Sequence, residues 1–234
     1  MKKNLFKPIF AGICLTAMCS VNLWAIPTLQ LDTVPGTWDP ITQTTIATAN
    51  PFTLRALIDA SSVDITRNFY ISAAIIPNPG VTPLPNFGSF TINGTTYSSS
   101  SGMQYGTPPV NAAIKNLPAH SIFPTWYAER IFSAVGSSTI AAYNTQDGSS
   151  GAPGSVLNYV DFEVNISGLL GSTYAVHFDL YTYDLIGNPL KIDEFAPFSH
   201  DAQSGGNTVP DGGSTAMLLG VAVMGLGALQ RRLA

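Results

Sequence analysis

The sequence predicts an all-β protein: a β-sandwich of jelly-roll type set between an N-terminal signal peptide and a single C-terminal transmembrane helix. Three observations carry this. Short runs of alternating apolar and polar residues recur along the middle of the chain, the period of half-buried strands. Turn-forming residues crowd the intervals, with 21 Gly and 17 Pro among 234 residues. No segment before residue 209 reads as a helix, whereas the last segment is apolar over a membrane's thickness.

Residues 1–25 have the three parts of a secretory signal. Lys2, Lys3 and Lys7 supply the positive start, Ile9 to Met18 the apolar stretch, and Leu23-Trp24-Ala25 a cleavage site after Ala25. Such a segment engages the export machinery. Cys14 and Cys19 both lie within it, preceded by Ile13 and Met18, which are too large for a lipoprotein site. The domain at 26–202 therefore contains no cysteine and is held by packing alone. From 26 to 209 there are five basic residues against thirteen acidic ones, a formal charge of −8. That surface repels nucleic acid and removes it as a partner class.

Taken in order, Thr28 to Asp32 alternates and is the first strand. Thr37 to Asn50 is Thr-rich without a period and is read as loop or irregular edge. Phe52, Leu54, Ala56 and Ile58 share one face of a strand, as do Phe69, Ile71, Ala73 and Ile75. Pro77 stops the latter by removing a ladder donor, and Pro79, Pro83 and Pro85 stiffen the loop that follows. Asn93-Gly94, between Phe90-Thr91-Ile92 and Thr95-Thr96-Tyr97, supplies the two positive φ angles of a type I′ hairpin. Residues 98–111 read as loop, and Ile131–Val135 and Thr139–Tyr143 as short strands. Val160, Phe162, Val164 and Ile166 oppose Asp161, Glu163 and Asn165 along a strong half-buried strand. Tyr174, Val176, Phe178 and Leu180 give the next inner face, after a turn at Gly168–Ser172, and these two strands are expected to pair as antiparallel neighbours. Phe195–Ala202 closes the domain and 203–208 is a linker.

Val209-Pro210-Asp211-Gly212 opens the final segment, residues 209–234. Gly212 to Gln230 is uncharged and, as a helix, spans about 28 Å, close to a hydrocarbon core of about 30 Å. Arg231 and Arg232 then form the basic stop at the cytoplasmic face. This arrangement resembles the exosortase-type C-terminal sorting signals of Gram-negative bacteria, in the variant that begins Val-Pro-Asp-Ser-Gly, with Gly212 in the place of Ser. The resemblance implies an inner-membrane intermediate, an exosortase-like processing enzyme, and a destination at the cell surface or in the extracellular matrix, with exopolysaccharide as a contact.

A second resemblance covers Leu29 to Ala202. Leu117-Pro118-Ala119-His120-Ser121-Ile122-Phe123-Pro124-Thr125-Trp126-Tyr127, Val176-His177-Phe178-Asp179 and Phe195-Ala196-Pro197-Phe198-Ser199-His200-Asp201-Ala202 are similar to segments of the bacterial choice-of-anchor N proteins. Ser121 and Trp126 depart from the usual Gly and Tyr. That family shares an exported domain on different anchors and has no established activity, so the resemblance implies placement and fold without chemistry.

Candidate chemistry is sparse. His120, His177 and His200 with Asp179, Glu129 and Asp201 offer imidazole and carboxylate donors for a metal-dependent hydrolase, but no His-Glu-x-x-His or comparable spacing groups them, and no metal is expected. Calcium has only loop acids such as Asp147 and the pair Asp193-Glu194 to draw on. Ala175, His177, Asp179, Tyr181 and Tyr183 alternate along one strand face, which with Trp126 and Tyr127 is the candidate ligand face of a carbohydrate-binding module. Hydrolase, phosphate-loop and dinucleotide motifs are lacking from the sequence. The expected function is structural or adhesive and non-catalytic, without a cofactor.

Overall fold

The computed structural model describes residues 26–107, 124–170, 173–184 and 191–205. The signal-peptide segment, residues 206–208 of the expected 203–208 linker and the membrane-length segment lie outside them, while Gln203 belongs to the last strand and Ser204 is buried, so the domain runs past residue 202. Every long element is a strand, and the one helical turn among the described residues is a 3₁₀ turn at Phe198–His200.

In chain order the strands are β1 (Leu29–Val34), β2 (Gly36–Asp39), β3 (Thr44–Ala47), β4 (Phe52–Ile58), β5 (Asn68–Ile76), β6 (Phe90–Ile92) and β7 (Thr95–Tyr97). There follow β8 (Gln104–Gly106), β9 (Thr125–Ser133), β10 (Ser138–Ala141), β11 (Val156–Asn165), β12 (Ala175–Asp184), β13 (Lys191–Phe195) and β14 (Asp201–Gln203). They form two sheets. The first runs β1-β4-β11-β6-β7 with β10 beside β11; the second runs β2-β3-β14-β12-β5-β9-β8 with β13 beside β12. All pairs are antiparallel except β3 with β14.

The alternation in the sequence decides which side of each strand is dry. Phe52, Leu54, Ala56 and Ile58 of β4 and Phe162 and Val164 of β11 line the first sheet's inner face. Phe69, Ile71, Ala73 and Ile75 of β5 and Val176, Phe178 and Leu180 of β12 line the second. These residues belong to one apolar cluster, so the sheets face each other as a β-sandwich. Rings cross the gap: Phe52 meets Phe178 edge-on at 6.3 Å, and Phe132 meets Phe162 at 5.1 Å. The fully buried rings among these, such as Phe178, each contribute roughly 1.5–3 kcal/mol, and the half-buried Phe132 less.

The Asn93-Gly94 turn is as expected, with φ of 48° and 73° between β6 and β7. It is also docked: Asn93 N–H donates to Glu163 O at 2.8 Å, and Glu163 N–H donates to Asn93 Oδ1 at 2.7 Å. On the outside of the first sheet, Arg55 grips Asp161 with two hydrogen bonds of 2.8 Å and lies 4.4 Å over the Tyr159 ring.

Of the two readings of residues 37–50, the irregular edge holds: β2 and β3 pair there at the edge of the second sheet, because Thr is a good strand former on a half-buried surface even where no apolar period shows. Two expectations about the strands are corrected. Residues 98–111 contain β8, which adds to the edge of β9. Consecutive β11 and β12 do not pair. Their connection crosses from one sheet to the other, so β11 pairs with β4 and β12 with β5.

Candidate functional site

The second sheet turns its other face away from the core. On β12 that face carries His177, Asp179, Tyr181 and Tyr183, two residues apart as the strand period requires. Register extends the face sideways. Ala74, Ser72 and Tyr70 of β5 stand beside His177, Asp179 and Tyr181, and Tyr127 and Glu129 of β9 stand beside Ala74 and Ser72. On the opposite flank β14 pairs Gln203 with His177 and Ala202 with Phe178, which brings Asp201 level with Asp179.

This face is closed. Tyr181 is 0% exposed and Tyr183 6%. Tyr181 lies between the rings of Tyr70 at 5.8 Å and Phe195 at 6.1 Å, and Tyr183 meets Tyr70 edge-on at 4.6 Å. Both hydroxyls donate to Glu129 Oε2 at 2.7 Å. Burial, reinforced by the Glu129 charge, pushes the Tyr181 phenol well above its ordinary value, and the same two causes raise Tyr183. A sugar cannot stack on rings so enclosed, so the ligand-face reading of Tyr181 and Tyr183 is set aside. Trp126 cannot join them either. It belongs to the inner cluster on the other side of the sheet, with its indole N–H donating to Gly80 O at 2.9 Å.

Beside the tyrosines lies a compact group of charge. His177 Nε2 is 3.6 Å from Asp179 Oδ1 and 3.7 Å from Asp201 Oδ2. The Asp179 side chain is 0% exposed, that of Asp201 2% and that of His177 12%. Burial opposes a charge on the ring, but the two carboxylates together outweigh it and lift the His177 pKa to about 10. One donor atom from each of the three residues lies within 4.8 Å of the others, a set able to hold a metal ion.

Of the other donors named from the sequence, His120 lies outside the described residues. His200 is next to Asp201 in the chain but its ring goes elsewhere. Its Nε2–H donates to Asn144 Oδ1 at 3.0 Å, and its Nδ1 shares a hydrogen bond of 2.8 Å with the Ser199 hydroxyl. Burial holds this ring at a pKa of about 4. Glu129 serves the tyrosines. Asp147 accepts from Ser149 N–H at 2.8 Å within its own turn, and Asp193 pairs with Arg67. Ser72 and the β14 register were missed by the sequence reading, since both depend on strand partners.

The decisive comparison falls beyond the domain. Residues 208–233 match the VPDSG-CTERM motif. The VPDSG-CTERM segment includes Val209, Pro210, Asp211, Gly212, Arg231 and Arg232, all outside the described residues. It implies an exported protein that is sorted to the cell surface and processed by an exosortase-like enzyme. No curated protein and no solved structure matches the chain.

Proposed function

We propose that this protein is a non-catalytic surface or exopolysaccharide-matrix protein of the choice-of-anchor N type, delivered through an inner-membrane intermediate after removal of its signal peptide. The observation that carries the proposal is the way the VPDSG-CTERM segment joins the sandwich. It follows closely on β14, a strand hydrogen-bonded on both flanks, to β3 and to β12. Ser204 continues the attachment: its N–H donates to Val176 O at 2.8 Å and its Oγ accepts from Val176 N–H at 2.9 Å. A domain sorted by its C-terminal end has that end tied to the middle of a sheet, which suits a structural or adhesive part. The closed tyrosine face supports the same reading, since it offers bulk and order in place of an open cleft.

The test is the intact mass of the protein recovered from its native host, together with its cell fraction. A mass ending near Val209 to Gly212, found in the matrix or at the outer surface, is the expected result. A mass running to Ala234 in the inner membrane would replace the matrix role with that of a tethered periplasmic domain.

A further inference from the structure

We infer that His177, Asp179 and Asp201 bind one divalent transition-metal ion on the outer face of the second sheet, with Zn²⁺ the ion best suited to the donors.

The distances are the first support. The imidazole nitrogen stands 3.6 and 3.7 Å from the two carboxylate oxygens. Two donors each about 2.1 Å from a shared ion, at the tetrahedral angle, are separated by about 3.4 Å, close to these distances. The donors need not converge from flexible loops. Asp179 and His177 stand on β12 and Asp201 on β14, and paired backbones hold them. Two buried carboxylates supply the negative charge that a dication requires, and an imidazole nitrogen favours Zn²⁺ over the oxygen-seeking Ca²⁺ and Mg²⁺.

The second support is independent. Ser72 lies directly across the β5–β12 ladder from Asp179, on the same face. It is 0% exposed, and its hydroxyl has no hydrogen-bond partner among the described residues. A buried hydroxyl left so is costly. An ion beside Asp179, or a water bound to that ion, gives Ser72 Oγ a partner. Binding takes the ring in its neutral form, so the proton on His177 is released to solvent as the ion enters. The result is a cross-link between β12 and β14 in a domain that has no cysteine to provide one.

The test uses the full chain in detergent, stripped with a chelator and titrated calorimetrically with Zn²⁺. The expected result is one ion per chain, a lower melting temperature after chelation, and recovery on adding Zn²⁺. Asp179→Asn and Asp201→Asn each weaken binding at least about tenfold, while Asp161→Asn, on the other sheet, leaves it unchanged. Absence of stoichiometric binding, or equal affinity in wild type and both site variants, overturns the assignment. Should the variants misfold, X-ray absorption of the Zn²⁺-loaded wild type decides. A shell of imidazole and oxygen supports the site. A shell lacking imidazole, or containing sulfur from Cys14 or Cys19, overturns it.

Discussion

Tyr181 and Glu129 are separated by a whole strand, β5, and still meet: the phenol donates to Glu129 Oε2 at 2.7 Å. Tyr183 delivers a second hydroxyl to the same oxygen. Glu129→Ala therefore strands two hydroxyls at once and is expected to lower unfolding free energy by about 2–4 kcal/mol. Tyr183→Phe alone should cost about 1 kcal/mol, and almost nothing further in the Glu129→Ala background. Urea unfolding of the double-mutant cycle reads this. Additive losses would mean that the hydroxyls do not depend on the carboxylate.

Asp32 carries a pH signature. Its Oδ2 accepts from the Tyr143 hydroxyl at 2.6 Å and its Oδ1 from Thr33 N–H at 2.8 Å, but burial outweighs these bonds and raises the carboxyl pKa above 3.8. The folded state thus holds this proton more tightly than the unfolded chain does. Its contribution to stability falls as pH rises from 3.8 through the raised value, and the charged form is a liability at neutral pH. Asp32→Asn is expected to be neutral or stabilising at pH 7, by about 1 kcal/mol at most, with the gain fading as pH falls through 3.8. Denaturant curves from pH 3 to 7 check it. A variant clearly weaker at pH 7 would show that the charged hydrogen bonds dominate.

Two glycines with similar backbone separate strain from collision. Gly88 has φ of +86°, and a Cβ there would run into the carbonyl oxygen of Gly168, which already accepts from Ser89 N–H at 2.9 Å. Gly94 has φ of +73° with nothing within 4 Å of the added atom. Gly94→Ala should cost about 1 kcal/mol, the conformational term alone, and Gly88→Ala at least about 2 kcal/mol. Thermal unfolding of both variants suffices. Equal losses would mean that the loop at Gly168 moves aside.

Most faces were legible in the sequence, while most partners were not. The alternation in β4, β5, β11 and β12 names its buried side chains because a pleated strand has a strict period. It says nothing about which strand lies alongside, so β11 and β12, adjacent in the chain, were paired wrongly. The candidate site repeats the lesson. His177 and Asp179 share a face by spacing alone. Asp201 joins them, and His200 does not, because of the antiparallel register of β14 and the 3₁₀ turn before it. Glu129 was grouped with the histidines by chemistry, yet its β9 register places it among the tyrosines.

The inner position of β14 also sets an order in time. Export delivers a chain from its N-terminus onward. Until residues 201–203 emerge, β3 and β12 have no strand between them, and each shows an open edge of the kind that invites mispairing. The wedge that closes this gap arrives only a few residues ahead of the VPDSG-CTERM segment. Completion of the sandwich and presentation of the sorting signal thus become nearly one event. A chain stalled or clipped before that point lacks both the closing strand and the sorting signal.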